Sequence, residues 1–147
     1  MIILSSKQLR IVDDLITKSV LEYPTKTEEE VQKNWDAAIA GNKIGIVPEE
    51  SRLQPSPFFS SDRSLSLSVI DKLRDNKWFA ALEQNPTGSW HVTFTYFDKD
   101  GTTRIAAYSE DASSMQLAIC LAALKTVGIF LDLVNGSLIL NTAGSYG

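Results

Sequence analysis

SWHVTFTYF, Ser89–Phe97, places Trp90, Val92, Phe94 and Tyr96 at every second position, with His91, Thr93, Thr95 and Phe97 between them. Successive side chains of a strand point to opposite faces, so this spacing predicts a strand with one apolar core face and one mixed face. The neighbouring stretches WFAALEQ and TTRIAAYS are also strand-like. They are joined to the first by NPTG and DKDG, which carry the turn residues of tight antiparallel connections. The centre of the chain is therefore read as a three-stranded antiparallel meander.

Helical patterns flank it. In SSKQLRIVDDLITKSVLEY the residues Leu9, Val12, Leu15, Ile16, Val20 and Leu21 recur at three- and four-residue steps behind Ser5 or Ser6 as cap. Pro24 and the polar cluster after it close this helix, and TKTEEEVQKNWDAAIAGN predicts a shorter one ending at Gly41. Asn42 to Pro57 reads as an extended, loop-like crossing, because Pro48, Pro55 and Pro57 remove amide donors. In FFSSDRSLSLSVIDKL, Ser60, Ser61 and Asp62 offer capping oxygens to a helix whose apolar face is Leu65, Val69, Ile70 and Leu73.

After the meander, EDASSMQLAICLAALKTVG carries the strongest helical pattern, with Asp111, Ser113 and Ser114 as candidate caps and Gly128 as its stop. IFLDLVNGSLILN holds Asn135-Gly136 between apolar runs and predicts a hairpin over 129–140, with 141–147 as a loose tail. The expected fold is a single α+β domain over 1–147.

Composition narrows the function classes. A chain of 147 residues with net charge −4 is poorly suited to gripping phosphate backbones, so nucleic acid is not the expected partner. Ser5, Ser6 and Lys7 interrupt the first apolar run after four residues, which is too short for a signal peptide. Lys125, Gly128 and Asp132 break the most apolar window, Leu117 to Val134, below the length of a bilayer span. Cys120 is the sole cysteine, so no intramolecular disulfide can form, and a reducing cytoplasm is expected.

The residues supply little chemistry. His91 is the sole histidine and sits mid-strand, without the sharp nucleophile turn that a Ser/His/Asp assembly uses. Cys120 between Ile119 and Leu121 reads as a small core residue. No catalytic residue, metal site or cofactor is predicted, and the chain is read as a non-enzyme. Trp35, Phe58, Phe59 and Trp78 are the aromatics least committed to a regular core position. With Ser61 and Asp62 they form the candidate interaction surface; the alternative is that they close the crossing segment over the core.

The order of these segments resembles the phage ABA sandwich domain, a family of small phage- and prophage-encoded proteins. DDLITKSVL is similar to its opening helix. FFSSDRSLSLSVIDKL is similar to its central signature, an aromatic followed by Ser-Ser/Thr-Asp and a helix ending here in Val69, Ile70, Asp71, Lys72 and Leu73. LAICLAALKTVG resembles its closing helix. The chain departs at Leu67, where the family often has tryptophan, and at Met115 and Gln116, where it has a proline. The resemblance implies three layers of helix, antiparallel sheet and helix, to which the hairpin after Gly128 is an addition. It also implies a phage or prophage setting; together with the missing catalytic constellation this leads to the expectation of an accessory protein in the host cytoplasm that binds a host protein or small metabolite, with counter-defence as one such role. The alternative is a virion or assembly component. Homo-oligomerisation is expected, because IFLDLVNGSLIL is apolar on both sides of its turn and can pair with another chain; the alternative is that it extends the same sheet.

Overall fold

A computed structural model describes residues 3–21, 27–41, 43–46 and 56–143. The meander forms as its alternation dictates. Strand β2 (Trp78–Gln84), β3 (Trp90–Phe97) and β4 (Arg104–Ala112) lie antiparallel in the order β2-β3-β4. Trp78 faces Tyr96 and Phe94 faces Tyr108, so every member of this set points to one side. Val92, Phe94, Tyr96, Tyr108 and Trp78 are all buried there, and Trp90 is half-buried at the far end.

The helices begin where side chains can serve their free amides. In α1 (Ser6–Ile16), Ser5 Oγ accepts from the Gln8 amide at 3.2 Å, while Gln8 Oε1 accepts from the Ser5 amide at 3.0 Å. Thr27 and Glu30 make the same box at the start of α2 (Glu28–Ile39). In α3 (Arg63–Asp75) the cap is Asp62, whose Oδ1 accepts from the Leu65 amide at 2.9 Å. Ser114 caps α4 (Met115–Thr126). Of the other capping candidates, Asp111 lies instead inside β4, and Ser60 is turned toward α1. A π-helical turn, Thr17–Leu21, extends α1. Pro24 lies outside the described residues.

Apart from Gln116 and Lys125, every residue of α4 is buried. A helix apolar on all sides must be enclosed, and α4 packs against β3, β4, α3, α1 and β5 (Ile129–Val134). Val12 and Ile16 of α1 join this core, as do Val69 and Leu73 of α3 and Val31 of α2.

The α+β class and the C-terminal hairpin read from the sequence are both present. Asn135 and Gly136 adopt φ of 51° and 80° at the hairpin turn, the left-handed pair that a tight two-residue connection needs. Two readings need correction. Residues 43–46 are not loop: Lys43–Ile46 forms β1, which pairs antiparallel with β6 (Ser137–Ala143) and completes a second sheet in the order β1-β6-β5. A four-residue strand containing Gly45 has little local signal and depends on its partner's ladder. For the same reason Asn141 to Ala143 are strand rather than tail. Pro48 and Pro55 lie outside the described residues.

Candidate functional site

Three segments converge at one end of the meander. Glu28 opens α2, Lys77 forms the α3–β2 turn, and Asp98–Gly101 turns β3 into β4. Between them lies an open cleft of about 600 Å³, with Phe79, Tyr96 and Phe97 among its lining residues. The rings of Phe79 and Phe97 are 6.2 Å apart at an interplanar angle of 53°, and Phe79 is 50% exposed. A register shift between Tyr96 and Phe97 marks a bulge in the β3–β4 ladder at this end. Bulges re-aim side chains at sheet rims and beside sites.

The charges around the cleft are held differently. Asp98 Oδ1 accepts from the Thr102 amide at 3.0 Å and from the Thr103 amide at 3.3 Å. The Thr102 amide is the chief cause that holds this carboxyl below the usual range, and Asp98 itself is half-buried. Its charge belongs to the turn. Glu28, Asp100, Lys77 and Lys99 also line the cleft, and no ion pair joins these four among the described residues. Burial raises the phenol of Tyr96, and the Glu28 carboxylate adds to the rise.

The six residues chosen from the sequence fall into two groups. Phe58, Phe59, Ser61 and Asp62 lead into α3: Phe59 is buried, Ser61 is exposed, and Asp62 is spent on the cap. Phe58 is 56% exposed, and the Arg10 guanidinium lies 3.8 Å from its ring centroid, a cation–π contact. Trp35 and Trp78 belong instead to an aromatic cluster. Trp35 meets Tyr108 edge-on at 5.2 Å, and Trp78 stands between Tyr96 at 5.2 Å and Tyr108 at 5.7 Å. Trp78 and Phe59 are therefore buried members of the core, while most of the crossing segment they could close over it lies outside the described residues.

His91 Nδ1 lies 2.8 Å from Asp111 Oδ1, its Nε2 lies 3.3 Å from Thr93 Oγ1, and that hydroxyl is 2.9 Å from Ser109 Oγ. The order acid, imidazole, hydroxyl is that of a nucleophile relay. These residues stand on a sheet face, however, where β3 is paired on both sides by β2 and β4. The amides that could stabilise an oxyanion are held in the ladder. Among the described residues no group of three or more His, Cys, Asp and Glu could hold a metal ion.

The cleft residues were missed, although part of the signal was available. Phe79 and Phe97 carry large rings on the strand parity opposite the core set, where exposed apolar area is informative. Glu28 and Lys77 are brought in only by tertiary packing.

Comparison with known proteins bears on the fold alone. No family model and no curated protein matches the chain. A solved structure does. The 2.0 Å crystal structure of a phage protein from Bacillus cereus ATCC 14579 superposes with a TM-score of 0.52 at 17% identity, covering 90% of this chain and 98% of that one. The chain thus shares the fold of a phage protein. Among the described residues no helix is long and apolar enough to cross a membrane.

Proposed function

We propose that this chain is a phage- or prophage-encoded accessory protein that works in the host cytoplasm by binding, without catalysing a reaction. Its ligand is a small metabolite, or a segment of a host protein, held in the cleft beside Phe79 and Phe97. The observation that carries the reading is the cleft itself: about 600 Å³, lined by aromatic rings and charged side chains. Small-molecule sites typically measure about 300–1,000 Å³ and combine apolar walls with a few polar groups. The fold shared with a phage protein supports the setting, and interference with a host defence is the accessory role it anticipates.

Native mass spectrometry of the tagged protein from infected cells tests this. A retained mass that is lost in Phe79→Ala is the expected result. Recovery of the bare chain from several hosts, with no co-purifying protein, would overturn it.

A second reading, a virion or assembly component, draws on the sheet edges and on Leu133 and Val134, which are 37% and 52% exposed at the hairpin. In that reading copies of the chain join through these edges. Stoichiometric presence in purified particles supports it, and absence from them returns the argument to the cleft.

A further inference from the structure

The charge pattern of the cleft narrows its ligand. Asp98 is committed to the amides of Thr102 and Thr103 and shapes the turn. Among the described residues four charged side chains remain, two of each sign: Lys77 and Lys99 against Glu28 and Asp100. A purely anionic ligand that reaches the lysines meets the two carboxylates, and a purely cationic one meets the two ammonium groups. Like charges brought together oppose binding.

A molecule carrying both signs avoids this conflict. It places its carboxylate toward the lysines and its ammonium toward the acids, so that each charge of the ligand meets its opposite. The remaining wall is aromatic. Phe79 is half exposed beside Phe97, with rings tilted at 53°, and offers a flat apolar surface on which a planar group can stack. A half-exposed ring at the end of a strand gains by being covered.

We infer that the cleft binds a small zwitterion with a planar apolar body, the chemistry of a free aromatic α-amino acid. This rests on the cleft being the binding site. The aromatic body stacks on Phe79 with its edge toward Phe97, the carboxylate is met by Lys77 and Lys99, and the ammonium is met by Glu28 and Asp100.

Three probes that share one ring test it: L-tryptophan with both charges, tryptamine with the ammonium alone, and indole-3-propionate with the carboxylate alone. Each is titrated into the ¹⁵N-labelled full chain while the amides of Lys77–Phe79 and Tyr96–Gly101 are followed. L-Tryptophan should shift these amides and bind at least tenfold more tightly than either single-charge probe. Glu28→Gln should reduce its advantage over indole-3-propionate, and Phe79→Ala should weaken all three. The thermal midpoint of each variant reports whether it is folded. If tryptamine or indole-3-propionate binds as tightly as L-tryptophan, the zwitterion assignment falls and the cleft stands as a site. If none of the three moves those amides, the zwitterion assignment falls, and the retained mass in native mass spectrometry, lost or kept in Phe79→Ala, decides the cleft by itself.

Discussion

Asp13 Oδ1 accepts two hydrogen bonds from Ser60, one from its amide at 2.8 Å and one from its hydroxyl at 2.7 Å, across 47 residues of chain. Its Oδ2 is paired with Arg10 Nη1 at 2.6 Å, and the Arg10 guanidinium also donates to the Ser56 carbonyl. The Asp13 side chain is wholly buried. This carboxylate is therefore the clasp between α1 and the segment leading into α3. Asp13→Ala would take the carboxylate from a half-buried guanidinium and leave the Ser60 amide without its acceptor, while the Ser60 hydroxyl keeps the Leu9 carbonyl. Removing one partner of a buried ion pair costs about 3–5 kcal/mol. Urea unfolding should show a loss of that order, with a smaller loss for Asp13→Asn, which keeps one acceptor oxygen. A loss below about 1 kcal/mol for the alanine variant would mean that the clasp is dispensable.

Tyr108 is a different case. Its hydroxyl is buried without a hydrogen-bond partner among the described residues, beside Trp35, Trp78 and Phe130. Removing an unsatisfied buried donor is nearly neutral or stabilising, so Tyr108→Phe should leave stability unchanged or raise it by up to about 1 kcal/mol. The same burial pushes the phenol up to about 12 from 10.0. As pH rises above 10 the unfolded chain releases this proton before the folded one does, so the folded form loses ground. Its contribution is fully present below pH 10 and is lost toward pH 12. Unfolding midpoints measured across this window should fall more steeply for the native chain than for Tyr108→Phe.

These residues also show which parts of the molecule sequence alone could reveal. The meander was legible because Trp90, Val92, Phe94 and Tyr96 obey a local rule, and α4 was legible because nearly every side chain in it is apolar. Capping positions were narrowed correctly, since Ser114 and Asp62 were both among the candidates. The strand at Lys43–Ile46 was not legible: its partner lies about a hundred residues away, in β6. The cleft was hidden for the same reason. Glu28 comes from the start of α2, Lys77 and Asp100 from two separate turns, and nothing in their own neighbourhoods marks them as companions.

Cys120 tests the enclosure of α4. It is 0% exposed, and burial, followed by the Asp13 carboxylate, pushes its thiol well above the ordinary value. Reactivity requires the thiolate and access to it. The native chain should therefore be silent toward a thiol-specific disulfide reagent at neutral pH and should release one equivalent in denaturant. Rapid reaction under native conditions would show that α4 is open on one side.

Lys77 joins stability to the proposed site. It follows the end of α3, where its amide donates to the Arg74 carbonyl at 2.9 Å, and it adopts φ of 69°. Helices commonly stop with glycine in this left-handed position, because a Cβ there costs about 1–2 kcal/mol. A lysine that breaks the local rule at the rim of a cleft points to a role for its side chain. Lys77→Gly should then raise the unfolding free energy by about 0.5–1 kcal/mol while weakening L-tryptophan, whereas Lys77→Ala should weaken L-tryptophan equally without the gain. Calorimetric melting beside the probe titration separates the two effects. A glycine variant that is more stable and binds as well as the native chain would leave the lysine without a part in binding.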